Sequence, residues 1–291
     1  MVSLTTAAVD APASLSLNGA STKAPSASPT PAELLRHQIR ANNFTAASTS
    51  GVCPGYAQAN LVILPQSQAN DFRLLCKRNP VSCPLIGETK PGDPSFPAAI
   101  AANCDIRTDV PWYNIYENGV RVDTVKSVEQ EWKDDSVAFL IGCSYSFEAA
   151  LVQNGLLPRQ IEIKRNVPMY KTKISLFPAG QFGGHMVVSM RPYKPEQIEA
   201  VRDTTRPFVE THGEPVAWGW EGAAALGITD INKPEFGDAS EFREGEVPVF
   251  WGCGVTPQLA VMDSKTPGRV VCHAPGHMLV TDLKDSDVCT L

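Results

Sequence analysis

The sequence predicts an α/β layer fold with a mostly parallel sheet and a smaller α+β lobe inserted at residues 156–208. Three observations lead there. Short continuous apolar runs at residues 59–64, 137–141 and 247–251 read as buried strands, and a helical pattern follows each of them. A strand, strand, helix succession within 156–208 reads as a separate small unit. The 291 residues, 43% apolar and 19% charged, suffice for a sizeable core and are unlike a disordered chain.

Residues 1–29 are rich in Ser, Thr, Ala and Pro, with a single acid, Asp10, and a single base, Lys23. Such a stretch cannot bury enough apolar surface to offset its ordering entropy, and it reads as a disordered tail. It shows neither a secretory pattern nor the arginines of a mitochondrial leader, so the expected compartment is the cytoplasm, with the mitochondrial matrix as the alternative. Order is expected from Thr30-Pro31-Ala32-Glu33, a capping box with Pro at the first helical position; Leu34, Leu35 and Ile39 then supply an apolar face. After the strand at 59–64, Ser67 opens a second helix that carries Ala69, Phe72, Leu75 and Cys76 on one face and stops at Asn79-Pro80. Residues 80–111 are proline-rich and read as an irregular, ordered connection.

Asn118-Gly119 between 113–116 and 120–122 marks a hairpin. A helix over 147–153 follows the strand at 137–141. Residues 171–177 and 185–190 pair across a turn holding Gly180, Gly183 and Gly184, and a helix over 195–205 ends before Pro207. The strand at 247–251 leads into a helix at 257–262. The main domain is therefore expected to combine residues 30–155 and 209–291.

Charge and cysteine usage narrow the function. The net charge of −6 lacks the basic excess of a non-specific nucleic-acid binder. No apolar run approaches the roughly 18 residues of a membrane helix. Eight cysteines, at 53, 76, 83, 104, 143, 253, 272 and 289, show no CxxC pair and no zinc-ribbon spacing, and are expected to be reduced and mostly buried. No GxGxxG, P-loop or G-x-S-x-G motif occurs.

A gapless internal repeat places the candidate chemistry. SVAFLIGCSYSFEAAL (136–151) aligns with EVPVFWGCGVTPQLAV (246–261). Each is a buried strand, then Gly-Cys, then a hydroxyl residue, then a helix. Gly142 matches Gly252, Cys143 matches Cys253, Ser146 matches Thr256 as N-cap, and Glu148 matches Gln258 in the first helical turn. Backbone N–H groups and the helix dipole at such an end lower a thiol's pKa and favour anions, so two of them suit the two carboxylates of a small diacid. A pair of tight turns with inert buried thiols is the competing reading.

Other candidates stand outside the repeat. His212-Gly213 and His273-Ala274-Pro275-Gly276-His277 offer loop imidazoles for acid–base work or for loop anchoring. Pro275-Gly276 argues against one helical face for His273 and His277, so the zinc-protease motif is absent. Asp230, Asp238 and Asp282 read as turn or cap residues, and no metal site is assigned, although a divalent metal stays open. Arg191, at the end of HMVVSM, fits a carboxylate contact or a salt bridge tying the lobe to the main sheet. Tyr56 and Asn60 are candidates to face a pocket.

GCSYSFEAAL, VPMYKT, VVSMRP, THGEPV, EVPVFWGCGVTPQ and HAPGHMLVTD, with GYAQANLVILP and CKRNP upstream, resemble the D-glutamate cyclase family of YcsI-type hydro-lyases over residues 31–284. The resemblance implies a three-layer α/β main domain with a smaller inserted α+β domain. It also implies conversion of D-glutamate to 5-oxo-D-proline and water. The chain departs from the family at Trp218-Gly219-Trp220-Glu221, where a Gly-Asp-Pro-like segment is expected; Glu221 is the acid at hand.

Chemistry then suggests roles. The helix ends after Cys143 and Cys253 would bind the carboxylates with Arg191, while Ser144, Gly254, Thr256 and Gln258 contact substrate. His212 or His273 would take the ammonium proton, and Glu148 or a thiol would protonate the departing oxygen. A lyase acting on another small hydroxy or amino acid, and a non-catalytic binder of acidic amino acids, are the alternatives. The expected partner is a small acidic amino acid, with no nucleic acid and no membrane, no cofactor required by any motif, and a homo-oligomer left open.

Overall fold

The computed structural model describes residues 28–265 and 267–289. The tail expected over residues 1–29 lies, but for its last two residues, outside them. α1, Pro31–Arg40, starts as the sequence indicates: Thr30 Oγ1 accepts the Glu33 amide at 3.0 Å. The reciprocal half of the capping box is absent, because the Glu33 carboxylate instead takes the Asn103 side chain at 2.7 Å.

β1, Tyr56–Pro65, runs directly into α2, Gln66–Arg78, which ends at Asn79. The connection that follows is more regular than its prolines suggest. It holds β2, Leu85–Glu88, and a single turn of helix, α3, Ala98–Ala101. β3, Tyr113–Glu117, and β4, Val120–Val125, form the expected hairpin, with Asn118 and Gly119 both at positive φ, 51° and 81°.

β5, Ser136–Gly142, is followed by a 3-10 turn, Ser144–Phe147, and by α4, Glu148–Gln153, then α5, Arg159–Glu162. β6, Met169–Ser175, and β7, His185–Tyr193, pair as expected, and α6, Ile198–Thr205, follows a 3-10 turn at Pro195–Gln197. β8, Ala217–Trp218, α7, Gly219–Leu226, β9, Val247–Gly252, and α8, Val255–Asp263, come next. β10, Arg269–His273, and β11, Leu279–Lys284, complete the strands; neither is marked by an uninterrupted apolar run.

The strands form two sheets of mixed α/β character. One has the order β2-β5-β1-β10-β3-β4, with β11 on β1; the other has the order β6-β7-β9-β8. Every strand pairing described is antiparallel, which corrects the mostly parallel sheet. Alternating strands and helices suggested crossovers, but β1, β3, β5, β7, β9 and β10 find partners far along the chain. β1 is flanked by β5 on one side and by β10 and β11 on the other. The second sheet draws β6 and β7 from residues 156–208 and β8 and β9 from beyond them.

Strand periodicity distributes the core. Val62, Leu64, Val137, Phe139 and Ile141 of the first sheet join Val188, Met190 and Phe250 of the second, with one face of α2, in a shared core. The opposite parity of the first sheet, Leu61, Ile63, Ala138 and Leu140, packs against the segment holding α3 and Ile106. The opposite parity of the second sheet carries Val249 and Trp251 and is covered by Phe147, Leu151 and Val201. Among the described residues, no helix is long and apolar enough to cross a membrane. The described cysteines are free, and all but Cys289 are buried.

Arg36 on α1 is 1% exposed and locks that helix to β11, donating to the Val280 carbonyl at 2.8 Å and to Asp282 at 2.7 Å. Asp282, read above as a turn or cap residue, is the anion that compensates it. Removing one partner of a buried pair strands the other charge. Asp282→Ala should therefore lower unfolding free energy by about 3 kcal/mol, measured as a fall in the urea midpoint at constant slope.

Candidate active site

The two repeated units adopt the same local geometry in different sheets. β5 and β9 both end in glycine. A 3-10-type turn then closes from Ser146 N to the Cys143 carbonyl at 3.0 Å, and from Thr256 N to the Cys253 carbonyl at 2.9 Å. Both glycines are required by close approach. A Cβ on Gly142 would overlap the Glu210 carbonyl oxygen, and one on Gly252 would lie 2.7 Å from the Val81 carbonyl oxygen.

The predicted N-caps are corrected. Ser146 Oγ accepts the Gln58 amide from β1 at 3.0 Å, and Thr256 Oγ1 accepts the Val187 amide from β7 at 3.0 Å. The hydroxyls satisfy neighbouring strands because the tight turns already occupy the helix-end amides. Thr256 is thus committed to β7, and Gly254 is packed against the Asn60 amide, which itself donates to the Gly142 carbonyl at 3.1 Å.

Cys143 and Cys253 come together in one apolar cluster with Tyr145, Val167, Met169, Val187 and Met278, each thiol 7% exposed. Their expected activation is reversed. Burial pushes Cys143 up to about 12 and Cys253 to about 11, against the opposing backbone hydrogen bonds at Tyr145 and Val255. Helix-end electrostatics are worth up to roughly one pKa unit, whereas full burial shifts a group by up to 3–5 units. Desolvation wins.

Arg191 is the centre of the site. Alternation along β7 puts Val187, Ser189 and Arg191 on the face covered by the 3-10 turn and α4, and Arg191 is 0% exposed. Its Nη2 donates to Glu148 Oε1 at 2.7 Å and to Ser144 Oγ at 3.2 Å, and its Nη1 donates to Ser189 Oγ at 3.3 Å. The guanidinium carbon lies 5.2 Å from the Phe147 ring centre and 5.3 Å from that of Trp251. Its carboxylate partner within the chain is therefore Glu148. Glu148 is also held by Gln160 at 2.6 Å and Ser50 at 2.9 Å. Burial, opposed by the charge and hydrogen bonds of Arg191, lifts its pKa above the usual glutamate range.

The histidines do not share one role. His212, in the left-handed region at φ 91°, donates from Nδ1 to the Val81 carbonyl at 2.8 Å beneath the two glycines. His273 Nδ1 accepts the Leu61 amide at 3.0 Å and the Gln258 side chain at 2.6 Å. Gln258 is thereby engaged with His273 on the far side of β1. Both imidazoles are lowered to about 4 by burial. Glu221 lies exposed in the first turn of α7, away from this group.

A cavity of about 260 Å³ opens beside the Arg191–Glu148 pair. Gly51, Tyr56, Gln58, Tyr145, Glu148, Val152, Ile161 and Asp285 are among its lining residues. Cys53 lines it, whereas Cys143, Cys253, His212 and His273 do not, and no Lys or Arg does. Tyr56 does line it, as expected from the sequence, whereas Asn60 does not. Ser50, Gln58, Tyr145, Gln160 and Asp285 escaped the sequence reading. Gln58 and Tyr145 at least fall inside the distinctive motifs, but Asp285 carried no signal. Among the described residues, no group of three or more His, Cys, Asp or Glu is placed to hold a metal ion.

Two predictions follow from the burial. At pH 8 a thiol of pKa 11 to 12 is about 0.1% thiolate or less, so Cys143 and Cys253 should stay unlabelled by iodoacetamide in the native protein while the denatured chain labels fully. His212 and His273 should remain neutral when the pH is lowered from 8 to 5, since a depressed imidazole pKa takes up its proton only on approach to about 4. Nitrogen-15 spectra should show the Nδ1–H tautomer for His212 and the Nε2–H tautomer for His273 throughout.

Comparison with known proteins places the chain. The family model described as D-glutamate cyclase matches residues 137–282. A "Putative hydro-lyase" of Bordetella pertussis is 52% identical over 82% of this chain and 84% of its own. "Putative hydro-lyase YcsI" of Bacillus subtilis is 51% identical over 84% and 93%, and a "Putative hydro-lyase" of Schizosaccharomyces pombe is 50% identical over 83% and 81%. The strand, Gly-Cys turn and helix units that build the site lie inside the matched region, and the chain belongs to the D-glutamate cyclase family.

Proposed function

We propose that the chain is a carbon–oxygen hydro-lyase that closes D-glutamate to 5-oxo-D-proline with release of water. The observation that carries the reading is Glu148: a carboxyl 3% exposed, raised by burial, on the wall of a cavity of about 260 Å³. The family of the chain and the hydro-lyase names of its relatives agree with it.

The stoichiometry explains why one such carboxyl suffices. The amine nitrogen attacks the γ-carboxyl carbon, a C–N bond forms, and a C–O bond breaks. The ammonium loses two protons, and the departing oxygen gains two as water. A single group that accepts from nitrogen and donates to oxygen serves both transfers, and it works best with a pKa moved towards neutrality. A five-membered ring closure supplies high effective molarity once the chain is folded. Arg191 acts as a positioning residue, fixing Oε1 of Glu148, with Gln160 and Ser50 orienting the rest of the carboxylate. Ser144 in turn holds Arg191. The neutral thiols of Cys143 and Cys253 form an apolar, poorly hydrated wall behind Tyr145, which favours expulsion of water. His212 and His273 are committed to backbone partners and serve as struts.

Incubation of the purified protein with D-glutamate, and separately with 5-oxo-D-proline, followed by chromatography, tests the reading. Interconversion of the two is expected; no conversion in either direction overturns it. Turnover of another hydroxy or amino acid with D-glutamate untouched would keep the lyase class and change the substrate. Glu148→Gln should lower kcat by about 10²- to 10⁴-fold with a smaller change in KM, read well below the melting temperature of the variant.

A further inference from the structure

We propose that Tyr145 is a further catalytic residue: its hydroxyl donates a hydrogen bond to the oxygen that the γ-carboxyl group of the substrate retains, and stabilises the charge there as the ring closes. The proposal rests on the reading of the cavity beside Glu148 as the substrate site, and it adds which group meets the developing oxyanion.

The tyrosine hydroxyls divide into two kinds. Tyr113, Tyr170 and Tyr193 are buried and do not line the cavity, and each donates to a backbone carbonyl: to Ile106 at 2.7 Å, to Ile231 at 2.6 Å and to Leu156 at 2.9 Å. Burial demands such a partner. The two tyrosines that line the cavity, Tyr56 and Tyr145, have none among the described residues, and both phenol oxygens keep accessible surface. Tyr145 is 8% exposed, and its ring belongs to the apolar cluster of Cys143, Val167, Met169, Val187 and Met278, which offers the hydroxyl no good acceptor. The cavity that it lines is where an acceptor can reach it.

Position and charge single out Tyr145 from the other donors. It lies in the 3-10 turn Ser144–Phe147, three residues before Glu148, and both residues line the cavity. Three residues make one turn of such a helix, so the two side chains stand on one side of it. The Tyr56 ring is engaged by the Lys284 ammonium, 3.4 Å from its centre, and Gln153 is exposed at the end of α4. No Lys or Arg lines the cavity, so a neutral donor must meet the oxyanion. Burial, reinforced by the charge of Glu148 and opposed by Arg191, pushes the phenol well above its ordinary value, and it keeps its proton. When the amine nitrogen attacks, the C–N bond forms and the carbonyl π pair moves onto the oxygen that Tyr145 stabilises. Collapse restores the C=O bond and expels the other oxygen, which leaves as water with the two protons lost by nitrogen. The phenol gives up no proton in the cycle.

Tyr145→Phe deletes one oxygen atom and tests the role. In cyclisation of D-glutamate the variant should lose about 10²- to 10³-fold in kcat with little change in KM, at a melting temperature near that of the wild type. A kcat within about threefold of wild type overturns the assignment and leaves the cyclase reading in place. A second readout needs no turnover. 2-Pyrrolidinone, the neutral ring of the product, labelled with carbon-13 at its carbonyl, is followed by infrared difference spectroscopy. On the wild-type protein its carbonyl band should fall below the position found in alkane solvent, and Tyr145→Phe should lose that shift. No lowered band on the wild-type protein, or the same shift on both proteins, overturns the donor. Should the variant fail to fold, the band on the wild-type protein decides alone. A shift that depends on Tyr145 without any cyclisation of D-glutamate would remove the cyclase reading and leave Tyr145 as the carbonyl-binding donor of this cavity.

Discussion

The buried ion pair between Arg191 and Glu148 is the constraint around which the site is organised. A guanidinium with no solvent exposure must find its whole solvation inside the protein. It obtains a carboxylate, two hydroxyls and two aromatic faces, from Glu148, Ser144, Ser189, Phe147 and Trp251. Those groups come from strands of the second sheet and from the turn and helix that follow β5 of the first. Arg191 and Trp251 sit on neighbouring strands of the second sheet, whereas Ser144, Phe147 and Glu148 follow the last strand residue of β5 in the first. The pair therefore joins the two sheets where their strand ends converge. It also decides what the cavity offers: Glu148 faces it, and Arg191 stays behind.

The repeated strand, Gly-Cys turn and helix serves packing before chemistry. In each copy the glycine lets a foreign carbonyl approach where a side chain would collide, and the cysteine is a small apolar filler under the helix. The same closeness that brings the two thiols into one cluster removes water from them. Field from the helix ends is then too weak to ionise them. The contest between dipole and desolvation is settled by depth of burial, which the local spacing of residues does not encode.

Much of the architecture was legible in the sequence where a local rule applies. The Thr30-Pro31 helix start, the Asn118-Gly119 hairpin, the buried runs of β1, β5 and β9, and the pairing of β6 with β7 each rest on contacts within a few residues or across one turn. The direction of the strands was not legible, because pairing is decided between segments such as β1 and β10, whose contacts lie far apart in the chain. β2, β10 and β11 were missed for a related reason. β2 is only half-buried, β10 and β11 are buried by the neighbours that cover them, and all three sequences lack an unbroken apolar run. At the site, Cys143, Cys253, Ser144, Glu148 and Arg191 were all singled out, and tertiary structure gathers them. Their division of labour was beyond local reasoning. Thr256 is taken by β7, Gln258 by His273, and the cavity that Glu148 lines is also lined by Gln58 and Asp285.

By itself the sequence determined the family, the positions of the helix and turn signals, and the two Gly-Cys junctions, since each depends on residue type and short spacing. Only the tertiary structure decided which charges are sealed, which polar atoms are left without partners, and which side chains line one cavity. Those properties arise from exclusion of water by segments remote in the chain. Burial is a property of the assembled fold, and no single stretch of residues carries it.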